Sequence, residues 1–171
     1  PTRADAGPLI HLAEIDGLSL LTILETLHLP KAVWLETVVK KRVSADDLSR
    51  LGNLQTHILL QAEVTQFCQR HSLTNLHTGE TECFYLCSWL KVSTLLTDDL
   101  AARNAAKLLN LTPVGSLGIV VKAYQRGHIS LAEAEHYLID LYGVSSLYVT
   151  KAIVELAIKQ LSAEVNRTSI H

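Results

Sequence analysis

Apolar positions recur along this chain at two spacings. At threes and fours they mark helices; in short unbroken runs between turns they mark buried strands. The clearest passage is Ser93–Ala123, STLLTDDLAARNAAKLLNLTPVGSLGIVVKA. It predicts a strand at 92–97, an acidic corner at Asp98 and Asp99, and a helix at 100–109. A short strand at 112–114, a Gly-Ser turn and a helix at 116–126 follow. A strand, a crossover helix and a strand of this length form a right-handed βαβ unit in a parallel sheet. The working groups of such sheets gather just past the carboxyl ends of the strands.

The rest of the chain supplies more helices than strands. Residues 1–4, PTRA, would have to be the first strand or its stub, although they are polar for one. Ala6-Gly7 reads as a turn, Pro8 as the first helical residue, and Leu9, Leu12 and Ala13 as a buried face. Leu18, Leu21 and Leu24 predict a short helix within 17–26, and 27–29 a strand. Pro30 opens a helix to about Lys41, with Ala32, Leu35 and Val39 on its apolar side and Glu36 beside them. Residues 43–52 read as a short helix or lid. His57, Leu60, Val64, Phe67, Cys68 and His71 recur at helical spacing and predict one helix over 57–71. A polar connector at 73–79 leads to a helix over 80–91, with Thr78 as its cap. Two amphipathic helices, 131–142 and 149–161, come last, joined near Gly143, and the tail past Ala163 is expected to fray. The pattern is α/β: a small parallel sheet flanked by helices in residues 1–129, with 130–171 a helical extension packed on the same domain.

Composition narrows this further. A chain of 171 residues with 48% hydrophobic content and mean hydropathy +0.21 buries a substantial core and is not a disordered chain. Its longest weakly polar run, 108–121, is interrupted by Pro113, Gly115 and Gly118 and is too short to span a bilayer. No secretory leader is visible, and with no methionine the first residue is not an initiator, as in a trimmed or processed chain. Cys68, Cys83 and Cys87 include no C-x-x-C pair, so they read as packed thiols in a reducing cytoplasm. The eight histidines form no H-x-H, H-x-x-H or H-x-x-x-H cluster, which argues against a histidine zinc site. A net charge of −2 does not announce a nucleic-acid binder, although a local basic rim can coexist with an acidic centre.

The candidate chemistry lies in the acids. Taken singly, each has an ordinary role. Asp5 is either an N-cap or a metal ligand. Glu80 and Glu82 sit in a helix first turn, where carboxylates favour the dipole, and Glu36 is a mid-helix acid. Together, Asp5, Glu80, Asp98 and Asp99 fall at strand-to-helix junctions or in helix first turns, which a parallel sheet places on one edge. Carboxylates converging there repel one another unless a cation intervenes, and hard oxygen donors suit Mg²⁺ or Mn²⁺. Lys40, Lys41 and Arg42 complement a helix C-terminus or hold a phosphate backbone. Gly115-Ser116 reads as a tight turn whose N–H groups could also meet a phosphate. A phosphoaspartate receiver would need an acidic pair after its first strand, where Asp5 stands alone.

Several words of the sequence carry a resemblance: DAGPLIHLAEI (5–15), PKAVWLETVV (30–39), GETEC (79–83), LLTDDLAARNAAKLLNL (95–111) and VGSLGIVVKAYQRGHI (114–129). Their order resembles the PIN domain family, in particular its prokaryotic PIN-like subgroup of short nucleases. The resemblance implies a PIN-like fold and a metal-dependent ribonuclease acting on single-stranded RNA. It implies Mg²⁺ or Mn²⁺ as cofactor, a toxin–antitoxin context with an antitoxin peptide as partner, and a homodimer without membrane association. Carried over residue by residue, the family's acids fall on Asp5, Glu36, Glu80 (with Glu82 beside it) and Asp99, with Asp98 binding a second cation or orienting water. Arg103, Lys107, Lys40, Lys41 and Arg42 become candidates for phosphate contacts. The polar first strand departs from the family's apolar one, which keeps open a second reading: a catalytically weak or inactive PIN-like module that binds RNA or protein.

Overall fold

A computed structural model of the chain describes residues 1–73 and 75–168, without the side chains of 164–168. Its strands are β1 (Thr2–Ala4), β2 (Leu27–Pro30), β3 (Leu54–His57), β4 (Thr94–Leu96) and β5 (Thr112–Val114). They form a five-stranded sheet in the order β3-β2-β1-β4-β5, and every neighbouring pair is parallel. The helices are α1 (Ala6–Glu14), α2 (Lys31–Trp34), α3 (Ala45–Arg50), α4 (Gln61–Arg70), α5 (Thr78–Leu90), α6 (Leu100–Leu108), α7 (Ser116–Gln125), α8 (Leu131–Gly143) and α9 (Lys151–Thr168). Helix α5 packs across β1, β2 and β4; α7 packs on α1, β5, α8 and α9. The expected α/β class, a small parallel sheet flanked by helices, is the class observed.

The polar PTRA segment does form β1, the central strand, and Thr2, Arg3 and Ala4 are all buried. Strands of a parallel sheet are covered on both faces, so they carry no polar/apolar alternation to read. Arg3 is fully buried; its Nη1 donates to the Cys83 carbonyl at 3.3 Å, while Nε and Nη2 have no hydrogen-bond partner. The three cysteines are buried free thiols, as their apolar spacing implied.

Several elements differ from expectation. Ala6 and Gly7 open α1 and are not a turn before it. The single helix over 57–71 is instead β3 followed by α4. β3 lies on the sheet's edge, its middle residues Gln55 and Thr56 are exposed, and a strand with so little buried surface leaves no hydrophobic period. The helix within 17–26 is a 3-10 helix, Leu18–Ile23. His77, not Thr78, occupies the N-cap of α5.

Pro30 ends β2, and the helix after it tightens only as far as Trp34. A π turn, Leu35–Val39, then follows, in which Lys40 N–H reaches back to the Leu35 carbonyl. The extra residue rotates the register. Leu35 and Val39 point outward, and Val33 and Thr37 are fully buried. The Thr37 hydroxyl donates to the Val33 carbonyl at 2.8 Å, a local bond that competes with a regular ladder. Helix α9 continues through the stretch expected to fray, as far as Thr168; residues 169–171 lie outside the described residues.

Candidate active site

The strand order reverses at β1: β2 lies on one side of it and β4 on the other. The crevice outside the carboxyl ends of β1 and β4 is therefore the topological switch point, where open α/β sheets bind ligands. Asp5 follows β1 directly, and Thr97, Asp98 and Asp99 follow β4.

Asp5 caps α1, accepting from the Ala6 N–H at 2.8 Å, and its other oxygen lies 3.4 Å from the Thr97 hydroxyl. That hydroxyl in turn accepts the Asp99 N–H at 3.2 Å. Thr97 is fully buried and ties the two acidic corners together. Sequence reasoning passed over it, although its position just before an acidic pair was a usable signal. Asp99 caps α6 through the Ala102 N–H at 2.8 Å.

Glu36, within the π turn, reaches the same edge and lies beside Gly79 of α5. A Cβ added at Gly79 would lie 3.4 Å from Glu36 Oε2 and 3.8 Å from Asp5 Oδ1. Glu80 follows in the first turn of α5, its Oε2 accepting the His77 N–H at 2.9 Å.

Two of these acids, Asp5 and Glu80, respond to the charges of their neighbours. Burial, and then the charges of Glu80 and Glu36, push Asp5 up to about 7, against its hydrogen bonds to Ala6 and Thr97. Burial, and then the charges of Asp99 and Glu36, raise Glu80, against its bond to His77. Desolvation and like charge both favour the protonated form. The apolar cavity of about 300 Å³ lined by Phe67, Phe84, Cys87 and Leu109 has none of these acids in its wall.

Asp98 and Glu82 belong elsewhere. Asp98 Oδ1 accepts the Ser116 N–H at 2.7 Å, and Oδ2 lies 2.6 Å from the Ser116 hydroxyl and 2.7 Å from His11 Nδ1. It joins the β4–α6 corner to α1 and to the start of α7, and the Ser116 N–H is thereby taken. Glu82 is buried against the N-terminus of α2, accepting the Ala32 N–H at 3.1 Å and the Gln61 amide at 2.6 Å. Glu82→Ala would leave both donors without a buried acceptor, and is expected to cost about 2 kcal/mol in a urea melt.

Of the basic candidates, Lys40, Lys41 and Arg42 are exposed just beyond the π turn, and Lys107 is exposed in the last turn of α6. Arg103 is half-buried and donates from Nη1 to the Thr97 carbonyl at 3.3 Å.

The family model DUF3368, a PIN domain, matches residues 4–163. The chain belongs to the PIN domain family. No curated protein matches it. In this PIN domain the donor chemistry fits a hard divalent cation: carboxylates lie near the switch point, and Asp5 and Glu80 are raised first by burial and then by neighbouring acids. The placement is looser than the chemistry. Among the described residues no three His, Cys, Asp or Glu side chains are arranged to hold a metal ion, and Glu80 is folded back onto its own helix. Among those residues, too, no helix is long and apolar enough to cross a membrane.

Proposed function

We propose that this PIN domain is a metal-dependent endoribonuclease that hydrolyses phosphodiester bonds of single-stranded RNA, as the toxin of a toxin–antitoxin pair. One observation carries the reading: at one sheet edge Asp5 and Glu80 are raised by burial and by the charges of acids far apart in sequence, Glu36 acting on both, Glu80 on Asp5 and Asp99 on Glu80. Such an arrangement is strained in ionised form, and positive charge among it relieves the repulsion. Asp5, Glu36, Glu80 and Asp99 would hold Mg²⁺ or Mn²⁺, which when bound lowers the pKa of a water and offsets charge on the phosphodiester.

The chain's own groups do the positioning. Thr97 fixes Asp5 against the Asp99 corner. Gly79 lies beside both Glu36 and Asp5. Glu80 reaches inward by exchanging its bond to the His77 N–H for a place among the other acids. Lys40, Lys41, Arg42 and Lys107 are exposed cations for the RNA backbone. Residues 1–129 form the nuclease unit, and α8 and α9 its helical extension.

The second reading is a PIN domain that binds RNA or protein without cleaving. The retracted Glu80 favours it. Incubation of the purified protein with single-stranded RNA separates the two. We expect cleavage with Mn²⁺, none with EDTA, and loss in Asp5→Asn and Asp99→Asn. Cleavage that survives EDTA, or full activity in both variants, would count against the site.

A further inference from the structure

Arg3 lies on the central strand, and its register neighbour on β2 is His28. Residues in register put their side chains on one face of a sheet, and residues two apart on a strand share a face. Gln55 is in register with His28, so His57, two residues on, belongs to that face as well. Helix α5 covers it: Arg3 Nη1 donates to the Cys83 carbonyl at 3.3 Å, and the Trp89 indole meets the His57 ring edge-on at 6.2 Å. His28 Nδ1 and His57 Nε2 lie 3.0 Å apart. Arg3, His28 and His57 thus form a row of basic side chains beneath one helix.

No carboxylate is among the groups that act on this row. The charges felt by His28 are those of His57, Arg3 and the N-terminal amine, all of one sign, and His57 feels Arg3. The neighbours of Arg3 that could carry negative charge are the thiols of Cys83 and Cys87. Burial keeps both protonated: Cys87 is pushed up to about 11, and Cys83 well above its ordinary value. The guanidinium is lowered by burial only to about 10, so it stays charged at neutral pH. It is fully buried, and its Nε and Nη2 have no hydrogen-bond partner among the described residues. A buried charge without a counter-ion is costly, and so is each buried N–H without an acceptor. Water supplies an acceptor only; an anion supplies acceptor and charge together.

We propose that a halide-sized inorganic anion, chloride in practice, binds beneath α5, accepting from Arg3 Nε and Nη2 and from an imidazole N–H of the His28–His57 pair. Its size follows from the burial of Arg3, which is out of reach of a phosphate chain or an acidic side chain on another molecule. The entry is the sheet edge, where Gln55 and Trp89 are exposed. Bound there, the anion offsets the charge on β1 and ties β1, β2 and β3 to α5. The acids lie past the carboxyl ends of the strands and take no part in this site, so the inference stands apart from the nuclease reading.

Bromide and chloride test it. Anomalous diffraction from crystals soaked in bromide should show a peak within hydrogen-bond reach of Arg3 Nε and Nη2. In solution at constant ionic strength, the wild type should melt about 4 °C higher in saturating chloride than in gluconate, an anion too large for the site. Arg3→Met removes the charge and keeps an extended side chain, a kind of exchange that buried charges tolerate, and it should lose the response to chloride. An ordered water in place of the bromide peak overturns the proposal. So does a wild-type melting temperature indifferent to chloride, or an equal response in Arg3→Met. The bromide map and the wild-type melts decide the matter even if Arg3→Met does not fold.

Discussion

Asp5→Asn is expected to abolish RNA cleavage and, in the metal-free protein at pH 8, to raise the melting temperature. The two effects share one cause. Asp5 is 8% exposed and pushed up from 3.8 to about 7 by burial and by the charges of Glu80 and Glu36. The folded protein thus holds the Asp5 proton more tightly than the unfolded chain does. The stability this group contributes is complete below about pH 4, falls as pH rises toward 7, and is flat above.

A tenfold difference in proton affinity between the folded and unfolded chain corresponds to about 1.4 kcal/mol, so the ionised carboxylate costs the apoprotein a few kcal/mol by neutral pH. Asparagine removes that charge and still caps α1, since Asn and Asp cap about equally well. In a chain of this size each kcal/mol moves the melting temperature by about 2–4 °C. The wild type should therefore lose stability between pH 4 and 7, and the variant much less. Mn²⁺ should stabilise the wild type at pH 8 and fail to stabilise the variant. Cleavage should fall by about 10²-fold or more, because even residues behind a metal ligand account for 10–100-fold. An Asp5→Asn protein that melts below the wild type at pH 8, or keeps its response to Mn²⁺, would remove Asp5 from the role assigned to it.

Why some of this was legible and some not can be seen in particular residues. The unit from β4 to α7 was readable because Leu95, Leu96 and Val114 form short apolar runs between turns, while Ala102 and Ala106 repeat at helical spacing. β1 was obscured by Arg3, whose charge contradicts its full burial. β3 was lost because an edge strand buries too little to impose a pattern. The position of Glu36 followed from the resemblance and not from periodicity. It reaches the acidic edge within a π turn, and nothing in LETVV itself declares one. The sequence also placed Asp98 and Asp99 side by side without showing that they part. Thr97 still donates to the Val114 carbonyl, so the chain turns within the next two residues. Asp99 is left at the helix cap and Asp98 faces α7.

That parting gives the second large expected effect. Asp98→Ala should destabilise the protein by about 3–5 kcal/mol, the cost of leaving three part-buried polar groups without their charged acceptor. The Asp98 side chain is 8% exposed, and three groups converge on it at 2.6–2.7 Å: the Ser116 N–H, the Ser116 hydroxyl and His11 Nδ1. Alanine would leave all three without their acceptor and would loosen α1 and α7 together. A side chain at Gly115 would strike the same carboxylate, since a Cβ there would come within 2.7 Å of Asp98 Oδ1. Asp99→Ala, in contrast, should cost only the cap, about 1 kcal/mol, while removing a carboxylate that Glu80 feels. The adjacent aspartates should thus separate cleanly. Asp98→Ala should lower the melting temperature by about 10 °C and leave cleavage per folded molecule within a few-fold of wild type. Asp99→Ala should melt near the wild type and be inactive. Thermal melts and cleavage assays well below both transitions read the two effects independently. The reverse pattern would make Asp98 the metal-facing acid and Asp99 the structural one.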